Sequence, residues 1–556
     1  MPLPNSKPVW PETSILLGAG MTAPLNMPAS AGMGESIRKL AESDKPLQER
    51  IKASNRFRGI EKELECFLTA LGDDLKEEKL QPNEDAMKAA KKILPDNWEK
   101  EKIMEKILKW KSIYNWNALR RLAIKTPLEN EDHAKYLTDL YNLIDGSLLS
   151  NQGVQTSENT FLEPHKLRTA RNLLVIFSNL MLACGYHKTK KEEPKKFKAY
   201  LELAKTLGEL MQKEAIDLEG SNYSMRDFYF MSFSVISFNF EPFFLWSMFM
   251  ANDGLNKNPP HIGKCNLPVK LFHDFSTFAA VRDQNNKNEA NYPLNETVAR
   301  RTNQGEDGGR LYRICKFYLA HGCANFRECE NCGKMHLLLG NWEPLPKNLF
   351  YPPPFKTDLF PNEPYTEDER KAQEEECEYD AVQCPFCGRM TYAHNAPMIM
   401  QSSYKGGHAS FLEEIQRDAK VSLSGAKHII LMGYQLPPDD IVWRSAIVAK
   451  RNEEKIYCSV VVGHKGEDRW LEGGELKKYA KEKKKKIEKE KLPEYGVPAI
   501  DAAIAIFGKD NVRAYAGGIP QVWCSGGSVD KNKVKDLLYP KKKFPNNIAE
   551  ERINRA

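Results

Sequence analysis

The stretch Ser14-Ile15-Leu16-Leu17-Gly18-Ala19-Gly20-Met21-Thr22 decides how the chain is read. An apolar run this short, closed by Gly-Ala-Gly, is a buried strand feeding a tight turn. Glycines directly after a strand let the backbone approach a pyrophosphate, whose charge the amide N–H groups can meet. Gly18, Ala19, Gly20 and Thr22 are therefore candidate cofactor-binding residues, although a plain turn has the same composition. The weight of the pattern rests on what lies downstream. Strand-like runs recur at Val235 to Phe238, Cys315 to Leu319, His428 to Met432 and Ile456 to Val462. They are short and rich in β-branched or aromatic residues, and helical segments separate them, which predicts an α/β fold with a Rossmann-like parallel sheet. In such sheets ligands bind outside the carboxyl ends of the strands. Chemistry is expected in the residues that follow each strand.

From Glu35 to about Glu219 the pattern is helical almost throughout. Ile103, Ile107, Trp110, Ile113, Trp116 and Leu119 recur at three- and four-residue spacing, which predicts one apolar helix face, and Leu173 to Leu182 predicts a more buried helix. Plain core packing accounts for these residues.

The chain as a whole sets limits. Hydrophobic residues make up 41% and charged residues 28% of 556, proportions of a globular rather than a disordered protein. Met1 to Trp10 holds three prolines and no apolar centre, so no secretory signal is expected there. The longest apolar stretch, Phe228 to Ala251, is broken by Asn239, Glu241 and Pro242, which argues against a membrane span. Of twelve cysteines, four sit in two C-x-x-C pairs and the rest are scattered, the usage of a reducing, cytoplasmic compartment with one metal site. The net charge of +6 localises to Lys477–Lys491, where nine lysines against three glutamates give +6. That run has one tyrosine and no arginine, so it lacks the stacking groups of single-strand binders, and nucleic acid is not expected as a direct substrate. It reads as a solvated helix or loop, with a phosphate- or partner-binding arm as the alternative.

Three further strand ends carry chemistry-bearing residues. Ser237-Phe238-Asn239-Phe240-Glu241-Pro242 places an asparagine where it can hold a ribose hydroxyl or a water, or simply cap the turn. His321-Gly322 follows the strand ending at Leu319, just upstream of Cys329-x-x-Cys332, and is the stronger catalytic candidate; His273-Asp274 is its competitor. Ile429-Ile430-Leu431-Met432-Gly433-Tyr434-Gln435-Leu436-Pro437 is a buried strand ending in a glycine turn.

Cys384-Pro385-Phe386-Cys387-Gly388 supplies the second thiolate pair. Cys329, Cys332, Cys384 and Cys387 suit a tetrahedral zinc, with Cys377, Cys323 or His336 as substitutes for one ligand. Four thiolates close the coordination shell, so the metal is expected to be structural. The 51 residues between the pairs must loop out.

The order of these motifs resembles the sirtuin family. Gly18 to Pro28 is similar to its glycine-alanine-glycine-x-serine loop, and Ser237 to Glu241 to its threonine-glutamine-asparagine-x-aspartate motif. His321-Gly322 with Cys329 and Cys332 resembles its histidine-glycine pair and first zinc knuckle. Gly433 to Leu436 resembles the glycine-tyrosine-serine-leucine-proline turn of bacterial relatives. The departures matter as much. Ala29, Ser30 and Ala31 stand where deacylases carry aspartate-phenylalanine-arginine, Phe238 replaces a glutamine, Glu241 replaces the aspartate, and some 190 helical residues separate the first two motifs.

A large helical insertion is similar to that of sirtuin-like NAD-hydrolysing effectors of bacterial antiviral (anti-phage) defence. The resemblance implies NAD as substrate and a reaction that cleaves the nicotinamide–ribose bond. Asn239 and His321 would be catalytic; Gly18, Ala19, Gly20, Thr22 and Ser237 would bind the dinucleotide, with Gly433 and Tyr434 closing its adenosine side. It further implies a homo-oligomer, and as partner a hexameric ATPase of helicase type or a phage-derived trigger. An NAD-dependent protein deacylase and a catalytically idle NAD or ADP-ribose sensor are the alternatives. The expected organisation is a first strand and NAD loop in 1–35, a helical cap in 36–228, core in 229–322, a zinc module in 323–395, and core in 396–556 with a lysine-rich insertion at 475–495.

Overall fold

The computed structural model describes residues 11–42, 44–73, 81–94, 98–217, 233–262, 266–274, 279–282, 290–291, 311–329, 331–333, 335–337, 382–383, 387–391, 398–400, 402, 410–453, 455–461, 467–490 and 497–540. Its centre is a sheet of β1 (Thr13–Leu17), β2 (Phe233–Ser237), β3 (His261–Ile262), β4 (Leu267–Asp274), β5 (Leu311–Leu319), β6 (His428–Met432), β7 (Tyr457–Val461), β8 (Trp470–Glu472) and β9 (Val512–Tyr515). The spatial order is β8-β9-β7-β6-β1-β2-β5-β4-β3. The middle of the sheet, from β9 to β4, is parallel throughout. The edge strands β3 and β8 pair antiparallel. Every residue of β1, β2 and β6 is buried. Strands covered on both faces read as unbroken apolar runs rather than alternating ones, and this made them visible in the sequence.

The chain turns to one side of β1 through β2 and β5, and to the other through β6, β7 and β9. The switch point of this mixed α/β sheet therefore lies at β1, the strand whose glycines opened the reading.

The insertion between β1 and β2 is mostly helical. The expected single apolar face from Ile103 to Leu119 is corrected to two helices, α1 (Lys100–Ile113) and α2 (Trp116–Lys125). The side chain of Asn115 accepts from the Ala118 N–H and starts α2, a cap inside an apolar period that runs through it. A two-stranded hairpin, Val154–Ser157 with Thr160–Leu162, also interrupts the helices. Within the insertion Trp110 meets Phe67 edge-on at 5.4 Å, and Trp116 meets Phe177 at 5.7 Å. Most of its large apolar side chains join one core that is continuous with the sheet, while Leu108, Ile124, Leu149 and Phe161 are exposed.

Two long helices, α3 (Pro164–Glu192) and α4 (Pro194–Asp217), tie the insertion to the loop after β1. Gly185 of α3 lies so close that a Cβ there would sit 2.3 Å from the Asn26 carbonyl oxygen. Thr189 donates to Leu25 O, Asn26 Nδ2 donates to Thr189 Oγ1 (2.9 Å), and Tyr200 donates to Met21 O (2.6 Å). Among the described residues no helix is long and apolar enough to cross a membrane. The lysine-rich run begins on the helix Gly473–Glu490, where Lys477, Lys478, Lys481, Lys484 and Lys485 are exposed while Leu476 and Ala480 are buried.

Candidate functional site

Four strands end level with one another. Leu17 is opposite both Met432 and Ser237, and Ser237 is opposite Leu319. The next residues along each strand, Gly18, Phe238, Ala320 and Gly433, begin the turns at the carboxyl edge. The sequence candidates Gly18, Ser237, Asn239, His321, Gly433 and Tyr434 therefore sit together at the switch point.

The two glycine turns meet face to face. A Cβ on Gly18 would lie 2.6 Å from Gly433 O, and one on Gly433, which has φ +63°, would lie 2.1 Å from Met21 N. The Gly20 N–H donates to Gly433 O at 3.0 Å. Glycine is required here by two backbones in contact. This corrects the part expected of the loop: the N–H groups of Gly18, Gly20, Met21 and Thr22 already bond main-chain carbonyls. The Ala19 N–H is the amide of this turn left without a carbonyl partner among the described residues.

Thr22 also faces inward. Its hydroxyl donates to Glu241 Oε1 at 3.0 Å, and Asn239 Nδ2 donates to the same oxygen at 3.0 Å. Glu241 Oε2 accepts from the Phe243 N–H at 2.6 Å, at the start of α5 (Phe243–Lys257). Burial raises the Glu241 carboxyl to about 7, against the pull of these three donors. Ser237 Oγ accepts from the Asn239 N–H at 3.2 Å and shapes the turn. Asn239 is 6% exposed, and its Oδ1 is buried without a hydrogen-bond partner.

His321, 7% exposed, is held at the end of β5 by two neighbours. The Ile399 N–H donates to its carbonyl at 2.8 Å, and Phe238 packs edge-on against its ring at 5.0 Å. Its Nε2 lies 3.4 Å from Asp440 Oδ1, close enough to couple electrostatically but outside hydrogen-bond geometry, so the nitrogen lacks a bonded partner. The other oxygen of Asp440 accepts from Tyr434 OH at 2.6 Å. Burial, then the neighbouring Asp440 charge, holds the Tyr434 hydroxyl well above its usual range. Tyr434 stacks on Phe238 (4.2 Å, 14°), and Trp443 meets Phe238 edge-on at 5.1 Å. Tyr434 is thus joined to His321 through Phe238 and Asp440. Asp440 and Trp443 come from the start of α6 (Ile441–Glu453) and its lead-in, and neither was singled out by the sequence reading.

The register weakens the competing histidine. His273 pairs with Cys315, four positions before the end of β5, roughly 13 Å below the carboxyl edge. Its side chain lies outside the described residues.

The metal candidates occupy hairpin tips. Phe326–Glu328 pairs antiparallel with Met335–Leu337, enclosing Cys329 and Cys332, and Val382–Gln383 pairs with Met390–Thr391, enclosing Cys387. Gly333 (φ +65°) and Gly388 (φ +73°) make both turns possible. The sulfurs of Cys329, Cys332 and Cys387 lie within 4.8 Å of one another, a group that can hold a metal ion. Cys329 and Cys387 are 3.8 Å apart. A tetrahedron with ~2.3 Å metal–sulfur bonds has edges of about that length. Cys384, Cys377 and the His336 side chain lie outside the described residues, while Cys323 is buried beside the His321 turn. After the second knuckle the chain returns at Met398–Met400 to bond the His321 turn.

No protein-family model and no curated protein matches this chain.

Proposed function

We propose that the protein hydrolyses NAD at the nicotinamide–ribose bond, giving ADP-ribose and nicotinamide. The observation that carries this reading is a pair of buried polar atoms without hydrogen-bond partners, Asn239 Oδ1 and His321 Nε2, at neighbouring strand ends of a doubly wound sheet. Other buried polar atoms of the described residues also lack a partner, Asn179 Oδ1 and Trp523 Nε1 among them; what sets these two apart is their place at adjoining strand ends on the carboxyl edge, where a ligand can complete the set. Asn239 offers an acceptor for a ribose hydroxyl or an attacking water. His321, with the Asp440 carboxylate 3.4 Å from its Nε2, is the general base, a role worth roughly 10²–10⁴-fold in rate. Nicotinamide leaves as a stable neutral ring, so the demand on the protein is to stabilise an electron-poor ribose and aim a water. The aromatic cluster of Phe238, Tyr434 and Trp443 beside His321 is an environment suited to a planar ring.

A zinc ion held by Cys329, Cys332 and Cys387, with Cys384 as fourth ligand, would have a closed shell and a purely structural part. The wider setting we assign is NAD depletion in antiviral defence, on the strength of the motif order and the helical insertion. Incubating the purified chain with NAD alone tests the reading. Nicotinamide released without any acyl-lysine peptide supports hydrolysis; release only with such a peptide indicates a deacylase, and binding without release a sensor.

A further inference from the structure

A buried asparagine amide has two chemically opposite ends, and which end faces a ligand decides what the residue can do. At Asn239 that choice is made by Glu241. Its carboxylate is acceptor-only when ionised, and Oε1 receives Asn239 Nδ2 and the Thr22 hydroxyl while Oε2 receives the Phe243 N–H. We infer that Glu241 is a positioning residue that draws the amino end of Asn239 inward and thereby presents Oδ1 to the crevice as an acceptor. The unmet Oδ1 is the direct consequence of this arrangement.

Protonation of Glu241 would undo it. The backbone N–H of Phe243 can only donate, so Oε2 remains an acceptor and the added proton belongs on Oε1. There Thr22 can turn its hydroxyl to accept, but the hold on Asn239 weakens. Because burial places the carboxyl at about 7, this exchange falls near neutrality. The titratable group facing Glu241 from the neighbouring helix α4 is Tyr200, itself raised well above its usual range by burial, so it stays neutral through that window.

The substitution Glu241→Gln discriminates. Glutamine has one acceptor, which the Phe243 N–H requires, so its NH₂ must face Thr22 and Asn239. Thr22 accepts, and Asn239 must rotate to offer Oδ1 inward, leaving its amino end in the crevice. Thr22, Asn239 and the Phe243 N–H each keep a bond to residue 241, so the fold is kept while the presented end is reversed.

The inference builds on Asn239 as a ligand-facing residue of the proposed hydrolase, but its test does not need turnover. In protein labelled with ¹⁵N-asparagine, the Asn239 side-chain NH₂ signal, assigned by its loss in Asn239→Asp, is followed between about pH 5.5 and 8.5. The expected result is a signal that titrates near 7 in the wild type and is pH-independent and faster-exchanging in Glu241→Gln. A signal that ignores pH, or one identical in the variant, overturns the assignment. Nicotinamide release is measured in parallel and should fall about 10²-fold in Glu241→Gln at neutral pH. Should the wild type release none while its Asn239 signal still titrates, the positioning role stands and the NAD reading falls.

Discussion

Two buried histidines occupy opposite ends of the same sheet. His428, at the start of β6, donates from Nδ1 to Leu538 O (3.2 Å), and its Nε2 is 2.7 Å from Ser459 Oγ. Arg513 Nε donates to that same hydroxyl at 2.8 Å, so Ser459 is left to donate to the ring. Burial, with Arg513 nearby, drives His428 down to about 3 and keeps it neutral. His321, at the carboxyl edge, has Nε2 unbonded. Burial alone therefore does not distinguish the two histidines. What separates them is whether the partners are complete.

The largest test of this contrast is metal removal. The chain returning from the second cysteine knuckle bonds the His321 turn, whereas β6 and its His428 are held by the sheet and by residues near the C-terminus. Structural zinc sites contribute on the order of 10 kcal/mol to the order of their own module. Chelation, or Cys329→Ser, is expected to abolish nicotinamide release and to expose the His321 turn to hydrogen exchange while β1, β6 and β7 stay protected. Uniform exchange at both ends would contradict a local role for the knuckles.

Side-chain removal comes next. Asn239→Ala and His321→Ala should each reduce nicotinamide release by roughly 10²–10⁴-fold at unchanged melting temperature, and the double variant should be hardly worse than either single. His428→Ala should do the reverse: turnover per folded molecule is kept, and stability in urea drops by about 1–3 kcal/mol because Ser459 Oγ and the Leu538 carbonyl lose a partner.

The smallest effects are two slopes of stability against pH, and they have opposite signs. Glu241 holds its proton longer in the folded chain than its ordinary carboxyl would. Its contribution is thus complete below about 4.5 and lost as pH rises through 7. His428 refuses a proton that the unfolded chain accepts, so its contribution is present above 6.5 and lost as pH falls toward 3. Neither slope can exceed about 1.4 kcal/mol per pH unit, the limit for a single proton. Glu241→Gln should flatten the neutral-side slope in urea titrations and His428→Gln the acid-side one; a variant that moves the other slope would mean the two assignments are exchanged.

Much of this was legible in the sequence because parallel strands buried on both faces write themselves as apolar runs, and their ends are marked by Gly18, Asn239, His321 and Gly433. Two kinds of information were not. Asp440 sits in Pro437-Pro438-Asp439-Asp440, a composition that reads as a helix lead-in; only the pairing of β6, β1, β2 and β5 carries it to His321. Glu241 was legible as a departure from the motif it resembles, but one of its three donors, Thr22, comes from the distant loop after β1, and only the pairing of β1 with β2 brings it there. The break at Asn115 was hidden because Trp110, Ile113 and Trp116 keep helical spacing straight through it. The glycines have a packing role that composition did not disclose: Gly18, Gly20 and Gly433 bring two loops into contact, and the N–H groups of Gly18 and Gly20 bond main-chain carbonyls.

The central claim is that the unmet atoms of Asn239 and His321 await NAD. The direct measurement is nicotinamide released by purified protein given NAD and no peptide, for the wild type beside Asn239→Ala. The account predicts sustained release with ADP-ribose in equal amount from the wild type and none above background from the variant. Equal release from both, or no NAD consumption by a folded wild type at any protein concentration, would contradict it.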